Sequence, residues 1–302
     1  MIFIVNKGYP RHLRYVAEQI EMTNGKGSLV LVLDEAYPEA QRFKTLVMRD
    51  YSAMAGEFAK LYKPFFIEGD THHEFDLIWF QRYMFVLEYL ESIGHEGDFW
   101  IVDSDVMVYS DLGKAKILEG KRFTRNKVQD PCFTWFADSA ILREFCEYML
   151  DYYRYRLPEI EAYFIKHYLP GKMGAGICEM TFLRLFADER LSICQDLSLP
   201  VDGWAFDRGI HEPDGYRQNS FIGGKKIYWD GRTPYGILKG ERVNFHGLHC
   251  QGLYKNLIPL YFSGTADPED IRRGKAWKRS FGIIKAPKVL VRKVIGYGIE
   301  EH

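Results

Sequence analysis

The sequence predicts an α/β fold, with a mixed, mainly parallel central sheet flanked by helices. Two stretches predict it. Residues 2–5 are a short apolar run, residues 11–22 carry Leu13, Val16, Ala17 and Ile20 at helical spacing, and residues 28–33 are a second apolar run ending at Asp34. Strand, helix and strand at this spacing form a unit with a parallel strand pair. The second stretch repeats the alternation. Leu77, Phe80, Met84, Leu87 and Leu90 mark a long helix from about Asp76 to Ser92, Gly94-His95-Glu96-Gly97 stops it, and the apolar run Phe99-Trp100-Ile101-Val102 follows. In such sheets, ligands bind beyond the carboxyl ends of the strands.

A chain of 302 residues is long enough for one large core or two modest ones. A net charge of −1 gives no electrostatic footprint for nucleic acid. The five cysteines, Cys132, Cys146, Cys178, Cys194 and Cys250, are odd in number and lack metal-ligand spacing, which points to free thiols in a reducing compartment. The N-terminus lacks the pattern of a signal peptide, and no run of 18 apolar residues occurs. A cytoplasmic location is the expectation.

Further along, residues 121–137 read as strands, and residues 139–154 read as a helix whose stripe of Ile141, Phe145, Tyr148 and Met149 is core. Residues 158–169 are another helix candidate. Residues 171–181 form a glycine-rich turn into a helix that runs to Ala187, with Glu179 in its first turn. This is not a phosphate-binding P-loop, because the lysine and its following Ser or Thr are misplaced. Residues 197–245 read as loops and short strands. The expected organisation is one domain over residues 1–260, with a nucleotide-binding half at about 1–110 and an acceptor half at about 111–260. Residues 261–302 would be a basic helical tail, either solvated or in peripheral contact with an anionic membrane.

The chemistry concentrates at Asp103-Ser104-Asp105. Two carboxylates at i and i+2 on an apolar strand share a face, and like charges side by side are costly without a cation between them. Mn2+ or Mg2+, completed by phosphate oxygens, would remove the cost; a plain polar turn is the other reading. A second stretch, residues 243–255, holds His246, His249, Gly252 and Lys255. Imidazole can complete a Mn2+ shell, glycine lets backbone approach phosphate, and Lys255 can neutralise it. Asn6, Lys7 and Asp34, at strand ends, are candidates for the base or ribose of a nucleotide, or are solvated loop residues. Arg82, on the helix before the Asp-x-Asp run, suits a diphosphate or lies on the surface. Trp204, Phe206, Tyr216, Trp229 and Tyr235 either stack on a sugar or pack in the core.

With these residues the chain resembles the GT-A glycosyltransferases, whose Rossmann-like fold carries an apolar strand ending in D-x-D. His249-Cys250-Gln251-Gly252-Leu253-Tyr254-Lys255 is similar to the H-x-x-G-x-x-K motif of the retaining group that contains glycogenin and bacterial galactosyltransferases. Asn256-Leu257 stands where that group has Pro-Trp. The resemblance implies a nucleoside diphosphate sugar donor, a UDP-sugar first among them, and a hydroxyl acceptor on a glycan or another molecule. It implies Mn2+ or Mg2+ held by Asp103, Asp105 and His249, and a diphosphate held by Gly252 and Lys255, with Ser104 also on the donor side. The group's acidic residue near the reacting carbon has no clean match, and its Asp-Gln pair is missing. Glu179 is the candidate by position: a general base if the reaction inverts, a sugar-stabilising group if it retains. The tail motif favours retention. The alternatives are a sugar-1-phosphate nucleotidyltransferase, for which residues 6–11 make a poor signature, and a non-catalytic nucleotide-sugar-binding protein.

Overall fold

The computed structural model describes residues 1–65, 73–126, 131–167, 177–220 and 223–280. In chain order the elements are β1 (Ile2–Asn6), α1 (Leu13–Asn24), β2 (Leu29–Leu33), β3 (Lys44–Val47), α2 (Ala53–Tyr62), α3 (His73–Ser92), β4 (Phe99–Val102), β5 (Val106–Val108), β6 (Phe123–Arg125) and β7 (Phe133–Phe136). Then come α4 (Ser139–Tyr155), α5 (Leu157–His167), α6 (Glu179–Asp188), β8 (Cys194–Asp196), β9 (Trp204–Phe206), β10 (Tyr228–Asp230), β11 (Thr233–Leu238), β12 (Glu241–His249) and α7 (Ile258–Tyr261). A closing helix spans 268–280. The chain divides into two compact units, each assembled from three separate stretches: residues 1–9, 26–104 and 116–199, and residues 10–25, 105–115 and 200 onward.

The first unit holds a seven-stranded sheet in the order β3-β2-β1-β4-β7-β6-β8. Strands β3, β2, β1 and β4 run parallel, β7 is antiparallel to both its neighbours, and β8 is parallel to β6. The sheet is therefore mixed and mainly parallel, as the sequence predicts. Every residue of β2 and β4 is buried, which explains why both read as unbroken apolar runs rather than alternating ones. Phe80, Met84, Leu87 and Leu90 of α3 join the same core, and the rings of Phe58, Tyr62, Phe80, Tyr153 and Phe182 pack edge-to-face and stacked within it. Helix α4 begins where the Asp138 carboxylate accepts the Ile141 N–H at 3.0 Å, an N-cap.

The second unit is built on the sheet β10-β11-β12-β5, antiparallel throughout, with β9 added parallel to β12. The register of β12 against β9 shifts between Phe245 and Gly247, so His246 is a bulge residue. Helix α1 buries Leu13, Val16, Ala17 and Ile20, the predicted face, but it begins and ends two residues later than predicted. Its end is held by Asn24, whose amide donates to the Ser110 carbonyl at 3.1 Å and whose carbonyl accepts from the Leu112 N–H at 2.6 Å. The start of α1 is fixed to the closing helix through Asp270, which accepts from Arg14 at 2.9 Å and from the Tyr15 hydroxyl at 2.7 Å.

One expectation is corrected. The Asp-x-Asp run does not extend a strand: β4 ends at Val102, residues 104–105 form a turn, and β5 starts at Val106 in the other sheet. The backbone stays hydrogen-bonded as it changes direction, with the Asp103 N–H donating to the Cys132 carbonyl at 3.1 Å and the Cys250 N–H donating to the Asp105 carbonyl at 2.9 Å. The two carboxylates are thus placed by a turn, not by strand alternation. Residues 171–176 of the glycine-rich turn and residues 281–302 of the basic tail lie outside the described residues. No helix among the described residues is long and apolar enough to cross a membrane.

Candidate metal and donor site

In the second unit, β12 delivers His249 to a buried position, 2% exposed. Its Nδ1 lies 2.6 Å from the carbonyl oxygen of Arg208. A carbonyl only accepts, so Nδ1 carries the proton, and the neutral ring then has its lone pair on Nε2. That Nε2 lies 3.2 Å from Oδ1 of Asp105. Two acceptor lone pairs face each other across this gap, and only a proton or a metal ion between them makes the contact favourable. The residues therefore fit a divalent cation: one imidazole nitrogen and carboxylate oxygens are the donor set of Mn2+. Lys255 places Nζ 3.2 Å from the other oxygen, Oδ2, of Asp105. Burial alone would raise the Asp105 pKa, but His249 in its doubly protonated form, which then donates from Nε2, and the neighbouring Lys255 ammonium outweigh it and hold the carboxyl well below its usual range.

The turn after β12 positions the remaining motif residues. Gly252–Leu257 is a 3-10 helix, which sets Lys255 one turn after Gly252. Gly252 has φ +60° and open space where a Cβ would stand. The other histidine of the stretch takes a different part. The His246 ring stacks against Trp204 and Phe206, with centroids 4.8 and 4.6 Å away, and its Nδ1 is 2.7 Å from the Ser110 hydroxyl. Burial pushes its pKa down to about 4. Trp204 and Phe206, read as sugar-stacking or core residues, thus hold a histidine.

In the first unit, Arg82 of α3 is the hub. Its guanidinium is 2% exposed and lies 2.6 Å from Asp103 Oδ1 and 3.6 Å from Glu179 Oε1, and it donates to the Tyr83 hydroxyl at 2.9 Å. Glu179 opens α6 and is 5% exposed. Burial pushes its pKa up to about 7, with Arg82 opposing and the charge of Asp103 adding to the rise. Ser104, between the aspartates, is 5% exposed.

Asn6 and Asp34 stand at the carboxyl ends of β1 and β2. Asp34 Oδ1 accepts from the Gly8 N–H at 2.7 Å and from the Tyr37 hydroxyl at 3.1 Å, while the Asn6 amide donates to the carbonyls of Lys7 and Gly8 at 3.0 and 2.9 Å. Both residues therefore shape the loop after β1, and Lys7 projects exposed from it. Tyr9 and Tyr37 face each other with centroids 6.1 Å apart and planes 29° apart.

Within the second unit the geometry joins Asp105, His249 and Lys255, within the first it joins Arg82, Asp103 and Glu179, and it leaves Asn6, Lys7 and Asp34 at the strand ends. Sequence reasoning missed Asp207, Arg208 and Lys225, which surround His249. Their stretch reads as polar loop, and nothing in its spacing signals that a lysine there is buried.

No protein-family model and no curated protein matches the sequence. Among solved structures, mouse xyloside xylosyltransferase 1 in its apo form aligns at 9% identity and a TM-score of 0.45, over 67% of this chain and 85% of that one. A glycosyltransferase involved in the glycosylation of the major capsid of PBCV-1 aligns at 11% identity and a TM-score of 0.32, over 65% and 81%. The galactosyltransferase LgtC, in complex with donor and acceptor sugar analogs, aligns at 8% identity and a TM-score of 0.31, over 60% and 68%. Glycosyltransferases are thus among the solved structures to which this chain is similar.

Proposed function

We propose that the chain is a metal-dependent glycosyltransferase that moves a sugar from a nucleoside diphosphate sugar, a UDP-sugar in the first instance, to an acceptor hydroxyl. The observation that carries this reading is the Asp105–His249 pair, an imidazole lone pair aimed at a carboxylate in the arrangement a divalent ion completes. Asp103 is two residues away in the chain and supplies the third side chain. When bound, the ion supplies charge that stabilises the leaving diphosphate.

The residues of the chain divide the remaining work. Lys255 neutralises phosphate charge, and the open, left-handed Gly252 lets backbone approach it closely. Arg82 holds Asp103 in place from behind and leaves Glu179 a partner. As the bond from the sugar's anomeric carbon to the diphosphate oxygen breaks, positive charge grows on that carbon. Ionised Glu179 stabilises it in a retaining reaction, in which the acceptor oxygen attacks and its proton passes to the departing phosphate. In an inverting reaction Glu179 takes the proton itself. The loop after β1, shaped by Asn6 and Asp34, takes the base and ribose. In this reading residues up to about 110 serve the nucleotide, and residues from there to about 260 serve the acceptor, apart from Glu179, His249, Gly252 and Lys255, which act on the donor.

A thermal-shift panel of nucleotide sugars, with and without Mn2+, tests the proposal. A true donor raises the melting temperature by mass action, and more so with the ion. A panel in which no nucleotide sugar shifts melting, in either condition, would overturn the reading.

A further inference from the structure

Lys225 is 1% exposed, and its ammonium meets three acceptors from a single loop region: Asp207 Oδ1 at 2.8 Å, Asp214 Oδ2 at 2.5 Å and the Gly209 carbonyl at 2.8 Å. A buried ammonium is tolerated only when its three N–H groups are satisfied and its charge is matched. Here the ammonium hydrogen-bonds to Asp214 and to the Gly209 carbonyl, and the ion pair with Asp207, itself 0% exposed, helps match its charge. The residues gathered by this one cation are those that hold His249. Asp207 Oδ2 accepts the His249 backbone N–H at 3.1 Å, the Arg208 carbonyl accepts from its Nδ1 at 2.6 Å, and the Ile210 N–H donates to its carbonyl at 3.0 Å. The Lys225 N–H closes the loop by donating to the Ile210 carbonyl at 2.8 Å. Residues 207–210 thus grip the histidine at both backbone groups and at its ring.

We propose that Lys225 is a positioning residue for His249: its buried ammonium fixes the 207–210 loop so that the Arg208 carbonyl selects the Nδ1-protonated tautomer and leaves Nε2 to face Asp105. The inference rests on the reading of His249 as a metal ligand only for its consequence. The tautomer itself is set by the chain without the ion. A ligand's outer hydrogen bond commonly decides its tautomer and ring orientation, and disrupting it commonly lowers metal affinity about 10–100-fold.

The test uses the full chain with uniform 15N labelling. His249 is assigned by difference against His249→Gln, and its ring nitrogens are read by long-range 1H–15N correlation in metal-free protein. In the wild type, Nδ1 should be protonated and Nε2 bare. In Lys225→Met, the ring should become a mixture of tautomers, and Mn2+ affinity by calorimetry should fall at least tenfold, while Lys225→Arg should recover part of both. If Lys225→Met does not fold, Asp214→Asn, which keeps the Lys225–Asp207 contact and removes one anchor, should move the tautomer in the same direction. An unchanged tautomer in a folded Lys225→Met or Asp214→Asn protein overturns the proposal. Wild-type protein that shows the Nδ1-protonated ring but binds no Mn2+ would instead remove the metal reading and leave the positioning role standing.

Discussion

His249 directs Nε2 at Oδ1 of Asp105 across 3.2 Å while the Arg208 carbonyl holds its opposite nitrogen at 2.6 Å. Such a ring cannot donate to the carboxylate unless it is doubly protonated, so a cation is the natural third member of the contact. Replacing His249 with Ala should weaken Mn2+ binding by at least about tenfold in calorimetry, since losing a ligand costs no less than losing its outer hydrogen bond. The fold should survive, because the ring's neighbours are polar and can hydrate. His246 cannot substitute, closed in as it is by Trp204 and Phe206. Equal affinity in the variant would remove His249 from the ligand set.

Arg82 lies between Asp103 at 2.6 Å and Glu179 at 3.6 Å, at 2% exposure. Removing one partner of a buried ion cluster strands the others. Arg82→Met should therefore cost about 3–5 kcal/mol in urea unfolding. Glu179→Gln in the same background should restore part of that loss, because it removes one of the stranded carboxyls. The double mutant should then depart from additivity by more than about 0.5 kcal/mol. Strict additivity would mean that Arg82 and Glu179 do not interact.

Glu179 should also leave a mark on the pH dependence of stability. Burial raises its folded pKa from 4.5 to about 7. The protonated form is thus favoured by folding. Its contribution is complete below about pH 4.5 and disappears as pH rises through about 7, on the order of 3 kcal/mol in all. Measured by urea unfolding at pH 5 and pH 8 with EDTA present, the wild type should lose more stability across that interval than Glu179→Gln. Parallel profiles for the two proteins would show that the carboxyl titrates alike in both states.

Much of this arrangement could be read in the sequence, for identifiable reasons. β2 and β4 are legible because strands buried on both faces must be apolar without interruption, and α1 is legible because one covered face leaves a 3.6-residue stripe. A shared place for His249 and Asp105 is implied by the family resemblance rather than by the residues alone, and the two side chains stand 3.2 Å apart. The turn at residues 104–105 could not be read, because an apolar run on either side looks the same whether the chain continues straight or crosses to another sheet. Lys225 was invisible for a deeper reason. A lysine's burial depends on carboxylates brought to it by tertiary structure, and the two that neutralise it, Asp207 and Asp214, are 18 and 11 residues away in the chain.

The backbone beside that lysine yields a further expectation. Gly224 has φ +73°, a region L residues rarely adopt, and a Cβ there would stand 2.2 Å from the Ile210 carbonyl oxygen and 2.8 Å from the His211 Cα. Both neighbours are backbone and cannot rotate away. Gly224→Ala must therefore push residues 210–211 from the 223–225 segment, breaking the bond from the Lys225 N–H to the Ile210 carbonyl and loosening the residues that hold His249. The combined clash and strain should destabilise the protein by about 3 kcal/mol or more in urea. Mn2+ affinity should fall along with stability, since the same loop carries the Arg208 carbonyl. By contrast, Gly56→Ala, in the middle of α2 with no atom within 4 Å of the added carbon, should be neutral or stabilising. A Gly224→Ala protein with wild-type urea midpoint and wild-type Mn2+ affinity would show that residues 210 and 224 need not be this close for the site to form.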